Sequence, residues 1–118
     1  MIKSYRDLDV YNEGYVLGLE MYRLSTRIKQ EDGYVIAEQL RRASISIPLN
    51  IVEGYGKKDS VAEFKRFLRM SVGSVNEVEV LLTFLKDLSY LSEEDHARLM
   101  ARYETLGKRL NTLIKKWS

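Results

Sequence analysis

Apolar residues recur every three or four positions through four long stretches of this sequence, and the chain's single proline, Pro48, falls within one of them. At about 100° of rotation per residue, that spacing gathers apolar side chains on one side of an α-helix, whereas a half-buried strand needs strict alternation. The sequence therefore predicts an all-α fold. Helix 1 is expected over about Asp7–Ile28, with Val10, Leu17, Met21, Leu24 and Ile28 as its core stripe. Helix 2 carries Ile36, Leu40, Ala43, Ile47, Ile51 and Gly54, after a turn at residues 30–33 in which Asp32 would cap. Helix 3 starts at a capping box, Ser60 with Glu63, and runs through Phe64, Leu68, Ser71, Val75, Val78, Leu82 and Leu85, widened by Phe67, Leu81, Phe84 and Leu88. The hydroxyls of Ser71 and Ser74 are expected to bond carbonyls one turn back. Helix 4 opens at Ser92 and keeps its spacing through Leu99, Tyr103, Leu106, Leu110, Leu113 and Trp117. Turns of roughly 3–7 residues force neighbours to run antiparallel. The expected architecture is one antiparallel up-down-up-down four-helix bundle spanning residues 1–118.

Two helices carry more apolar surface than that bundle needs. Helix 1 has a second stripe, Leu8, Tyr11, Tyr15, Leu19 and Tyr22, and helix 2 has a second side with Ile45, Leu49 and Val52. Both stripes of helix 1 together cover more than half its circumference. An ordinary wide core face within one bundle is one reading of this surplus; the other is that Tyr11, Tyr15, Leu19, Tyr22, Ile45, Leu49 and Val52 meet another subunit, because large exposed apolar patches mark interfaces.

Pro48 removes the hydrogen bond to the Ser44 carbonyl, so helix 2 must break there or kink and find another donor. Continued spacing through Ile51 favours a kink, with Gly54 and Gly56 as the stop. Around it, Ser46, Asn50 and Glu53 read as polar groups buried within a two-sided helix. Repair of the Pro48 defect is the expected use of this Ser46-Pro48-Asn50-Glu53-Gly54 motif, and a ligand or catalytic role for Asn50 and Glu53 competes with it.

Catalytic chemistry finds few candidates. Cys is absent, which removes thiol nucleophiles and fits a reducing cytoplasm. The one histidine, His96, forms a lone Glu93-x-x-His96, where di-iron bundles need that motif twice plus inward glutamates. Glu77 and Glu79 stand two apart and face different ways, and no Gly-rich loop precedes a helix. The chain is expected to be no enzyme, with no metal and no cofactor. No stretch approaches the ~20 apolar residues of a membrane span, and the first residues lack a signal-peptide core.

Net charge is only +2, but it is unevenly spread. Residues 57–69 hold five Lys/Arg against two acids, and residues 98–118 hold six against Glu104 alone, while the remainder is acidic on balance. Lys57, Lys58, Lys65, Arg66 and Arg69 form the candidate nucleic-acid surface, expected to act on phosphates alone since no aromatic interleaves them. A solvated face, or a protein-docking module without nucleic-acid contact, are the alternatives.

The run Ser46-Ile47-Pro48-Leu49-Asn50-Ile51-Val52-Glu53-Gly54 resembles the hallmark of the bacterial four-helix bundle proteins, also called 23S ribosomal RNA intervening-sequence or S23 proteins. Tyr5-Arg6-Asp7-Leu8-Asp9-Val10-Tyr11, Gln39-Leu40-Arg41-Arg42-Ala43 and Glu63-Phe64 with Phe67-Leu68, then Gly73-Ser74 and Glu77, extend the resemblance over the whole chain. Val52 and Tyr11 depart from the alanine and tryptophan frequent at those places. The resemblance implies a left-handed bundle assembled as a homopentameric ring, related to the basic accessory variability proteins of diversity-generating retroelements, which bind a reverse transcriptase and nucleic acid. It carries no catalytic residues.

Overall fold

The computed structural model describes residues 1–28 and 31–118, and the side chains of residues 31 and 32 are outside the description. A 3-10 turn, Tyr5–Asp7, leads into α1 (Asp9–Thr26), α2 (Glu31–Gly56), α3 (Val61–Asp87) and α4 (Glu93–Lys116). Each helix packs on the next and α4 closes on α1, giving a square bundle of 45 × 22 × 19 Å. Its axis is filled by Leu17, Met21, Leu40, Ile47, Ile51, Phe64, Leu68, Leu82, Leu99, Leu106 and Leu110, with Tyr103 among them. Among the described residues, no helix is long and apolar enough to cross a membrane.

The helix starts follow local chemistry. The Ser60 and Ser92 hydroxyls accept from the backbone N–H groups of Glu63 and Asp95, three residues on. The box at Ser60 is half-formed, however. The Ser60 N–H donates to the Lys57 carbonyl, and the Glu63 carboxylate turns to Arg66. A box does form at the N-terminus, where Ser4 Oγ accepts from the Arg6 N–H and Asp7 Oδ2 accepts from the Ser4 N–H. This pairing makes Tyr5–Asp7 a separate turn, so α1 begins two residues later than expected and ends at Thr26 instead of Ile28. α2 begins at Glu31, which places Asp32 inside its first turn. The expected turn at residue 30 lies outside the described residues.

Helix α2 runs unbroken through Pro48. Two glycines of α1 receive this stretch. A Cβ at Gly14 would stand 3.2 Å from Ile47 Cγ2, and one at Gly18 would stand 3.6 Å from the Ser44 carbonyl oxygen that Pro48 deprives of its donor. Of the two glycines expected at the stop, α2 ends at Gly56 and runs through Gly54, and no glycine has positive φ. The lack of a side chain at Gly54 serves packing instead, because a Cβ there would lie 2.6 Å from Phe67 Cβ.

The seam between α1 and α4 is wider than the others and is spanned by long charged side chains. Arg102 reaches Glu20 at 2.9 Å and Glu13 at 3.1 Å, and Arg98 reaches Glu20 at 2.8 Å. Among the described residues the fully buried Tyr103 hydroxyl finds no hydrogen-bond partner, and burial, with Glu20 nearby, pushes its ionisation far up.

Candidate interaction surfaces

All seven residues expected at a subunit contact fall on one groove between α1 and α2. Tyr11, Tyr15, Leu19 and Tyr22 supply one wall and Ile45, Leu49 and Val52 the other, around a volume of about 400 Å³. Gly18 and Pro48 line the groove between the two walls. Tyr15, Leu19, Tyr22, Ile45 and Leu49 are exposed, while Tyr11 and Val52 are half-buried. Tyr5, which helix spacing could not include because it sits in the 3-10 turn, extends the wall by meeting Tyr11 edge-on at 4.9 Å. Two guanidiniums mark the groove's ends. Arg6 lies 4.6 Å over Tyr5, and Arg41 lies 4.8 Å over Tyr22 while its Nε donates to Ser25 Oγ.

A second apolar groove, between α3 and α4, escaped the sequence reading. Val80, Phe84 and Met100 line it with Asn76, Glu79, Thr83 and Asp87, around about 500 Å³. Phe84 and Leu88 were expected to widen the core, yet they are 53 % and 50 % exposed. They share a face with Val80, four residues apart, which turns away from the Val78, Leu82 and Leu85 stripe. Burial, and then the nearby Glu104 carboxylate, hold the Glu79 carboxyl above its usual 4.5. The folded chain thus binds this proton more tightly than the unfolded chain, so the group lowers stability as pH rises past 4.5. Glu79→Gln is expected to raise the urea midpoint at pH 7, with the gain vanishing below pH 4.5. An equal gain at both pH values would contradict this account.

The basic residues are less free than the sequence suggested. Arg66 forks onto Glu63 at 2.9 and 3.2 Å, and this contact draws the Glu63 carboxyl below its usual range. Aromatic rings do underlie the cluster, contrary to expectation. Lys57 and Arg66 both lie over Phe67, at 5.4 and 4.6 Å, and Lys58 lies 4.7 Å over Tyr55. Both rings are buried, so they steady the cations and offer no platform for a base. Among the described residues no carboxylate pairs with Lys65 or Arg69. Folding also joins the two basic segments that the sequence keeps apart. Trp117, the C-cap of α4, stands edge-on to Phe64 at 4.8 Å, so Lys108, Arg109, Lys115 and Lys116 share one end of the bundle with Lys57, Lys58 and Lys65. The other end carries Asp87, Glu93, Glu94 and Asp95 alongside Arg23, Arg27, Lys86 and Arg98, while Asp7 and Asp9 stand with Arg109 and Lys116 at the basic end.

The polar motif around Pro48 ties α2 to α3. Ser46 Oγ donates to the Ala43 carbonyl and stands 2.6 Å from Ser74 Oγ, and Asn50 Nδ2 donates to the Ser46 carbonyl. Ser71, expected to bond back along its own helix, donates to the Ile47 carbonyl across the interface at 2.9 Å. That carbonyl lies within the proline-disturbed stretch, where an added donor is useful. Glu53 is exposed, not buried, so the buried-carboxylate argument for a site at Asn50 and Glu53 loses its premise. His96 Nε2 meets Thr83 Oγ1 at 3.1 Å. Among the described residues no group of three or more His, Cys, Asp or Glu is placed to hold a metal ion.

The family model described as 23S rRNA-intervening sequence protein matches residues 6–112. A crystal structure of a protein of unknown function from the S23 ribosomal protein family of Bacteroides thetaiotaomicron VPI-5482 superposes with a TM-score of 0.82. The two share 22 % identity over 91 % of this chain and 96 % of that one, which supports the shared fold. No curated protein matches.

Proposed function

The chain belongs to the 23S rRNA-intervening sequence protein family, and from that premise we propose that it is a non-enzymatic, self-associating scaffold that binds RNA or DNA through charge. The observation carrying the first half is the α1–α2 groove, where seven apolar and tyrosine residues from two helices form one exposed surface. A chain that leaves such a surface in water gains by covering it with another copy. The homopentameric ring implied by the family resemblance is the form we favour, in the cytoplasm.

The shared basic end supports the second half. Repeating it around a ring multiplies weak phosphate contacts. Binding should then be salt-sensitive and indifferent to sequence. The test is a titration of ribosomal RNA fragments at increasing salt. Reversing Lys65, Arg66 and Arg69 together is expected to weaken binding at least about tenfold at low salt and to flatten its salt dependence. Unchanged retention in that variant, or no retention by the unaltered chain at low salt, sinks the nucleic-acid reading. The second reading, a module that docks a protein and never touches nucleic acid, is favoured by the Arg66–Glu63 pairing, which offsets the charge of one exposed cation.

A further inference from the structure

We propose that the α3–α4 groove docks an amphipathic helix of a partner protein, with apolar residues on Val80 and Phe84 and a lysine or arginine at Glu79 and Glu104. This goes beyond the charge-driven binding at the basic end and does not depend on it.

The groove is an apolar shelf. Val80, Phe84 and Leu88 follow one another at four-residue steps along α3 and are 56 %, 53 % and 50 % exposed. Half-buried Met100 of α4 forms the opposite side, with an unbranched thioether that adapts to the shape laid against it. The lining runs from Asn76 to Asp87, so the groove follows α3 for roughly 16 Å, about three turns. A helix whose apolar residues recur at three and four positions fits such a channel, ridge into groove. An extended segment would draw its affinity from a sheet edge, and the described residues contain no strand. A small ligand needs walls that enclose most of its surface, and ridge residues half in solvent do not supply them.

Charge sets the sign of the partner. Glu79 lines the groove and is half-buried, and Glu104 of α4 is exposed beside it. Burial, and then the Glu104 carboxylate, strengthen the hold of Glu79 on its proton, and no cation counters them. Among the described residues neither carboxylate has an ion-pair partner. Asp87, at the far end of the groove, is already offset by Lys86 at 3.5 Å. Two carboxylates across one seam, one of them half out of water, therefore cost the free chain stability. A lysine or arginine on the docked helix relieves that cost, and an acidic helix adds to it.

Titrating labelled synthetic helices into the full chain, followed by fluorescence anisotropy, tests this. One peptide carries leucines at three- and four-residue spacing flanked by lysines, and its counterpart carries glutamates in place of the lysines. The lysine peptide is expected to bind saturably, and the glutamate peptide at least about tenfold more weakly. Phe84→Ala should weaken the lysine peptide about tenfold, and Val80→Ala repeats that test should Phe84→Ala fail to fold. Glu79→Gln and Glu104→Gln should each weaken it about three- to fivefold. Glu79→Gln is also the variant expected to gain stability at pH 7, so its weaker binding is not a loss of fold. Glu77→Gln removes an exposed carboxylate from the same helix and should leave binding unchanged. No binding of the lysine peptide overturns the proposal, whether a second copy covers the groove or nothing does. Equal binding of the two peptides overturns it as well, as do equal losses in Glu77→Gln and Glu79→Gln.

Discussion

Phe64→Ala is expected to lower stability by about 3–5 kcal/mol, the largest loss of any change considered. The ring is fully buried, with its edge contacts to Trp117 at 4.8 Å and Tyr55 at 6.0 Å. Those partners belong to the end of α4 and the end of α2, so one side chain at the start of α3 fastens three elements. Truncation loses the transfer energy of the ring and leaves a void that helix backbones cannot fill. At this chain length the melting temperature should fall by roughly 12–20 °C. Urea unfolding followed by Trp117 fluorescence measures it, since the only tryptophan sits on the altered contact. A loss below about 1 kcal/mol would mean that this cluster is not a fastening point. The change should also loosen Lys57 and Lys58, whose turn adjoins the cluster.

Gly54→Ala is expected to cost about 2 kcal/mol even though alanine is the better helix former by roughly 1 kcal/mol. Gly54 lies inside α2, and an added methyl would meet Phe67 Cβ at 2.6 Å and the Phe64 carbonyl oxygen at 3.3 Å. Neither atom is the tip of a flexible side chain, so the two helices must separate. Gly73→Ala supplies the control. Gly73 is exposed within α3 and a Cβ there meets nothing within 4 Å, so the same exchange should add about 0.5–1 kcal/mol. Thermal melts of the two variants should therefore move in opposite directions. A Gly54→Ala chain as stable as the parent would show that α2 and α3 separate there at no cost.

The four helices and most of the core were legible in the sequence because burial imposes the three-four period directly. What the period does not say is which of two apolar faces meets a neighbour. For α1 and α2 the excess was plain, since Tyr15 and Tyr22 stand well off the Leu17 and Met21 stripe. For α3, Phe84 and Leu88 sit close to the core stripe and read as its extension, so the groove that Phe84 lines with Val80 stayed hidden. Glu53 failed differently. Its apolar neighbours suggested burial on both sides, yet the second side proved to be an open groove wall. Gly54 was assigned to a helix end by residue type, when the cause was the approach of Phe67 from α3, a contact across residues far apart in sequence. Ser71 belonged to the same class, since only the packed structure brings the Ile47 carbonyl to it.

The gathering of Lys108, Arg109, Lys115 and Lys116 with Lys57, Lys58 and Lys65 at one tip, and of Asp87, Glu93, Glu94 and Asp95 at the other, gives the molecule a lengthwise polarity. A 45 Å rod so charged is several Debye lengths long at physiological ionic strength, so the polyanion proposed above would act on one tip at a time and only at close range. Within that range the field would favour approach by the lysine tip. Orientation during approach would then cost no interfacial contact, and added salt would abolish the aim while leaving the fold as it is.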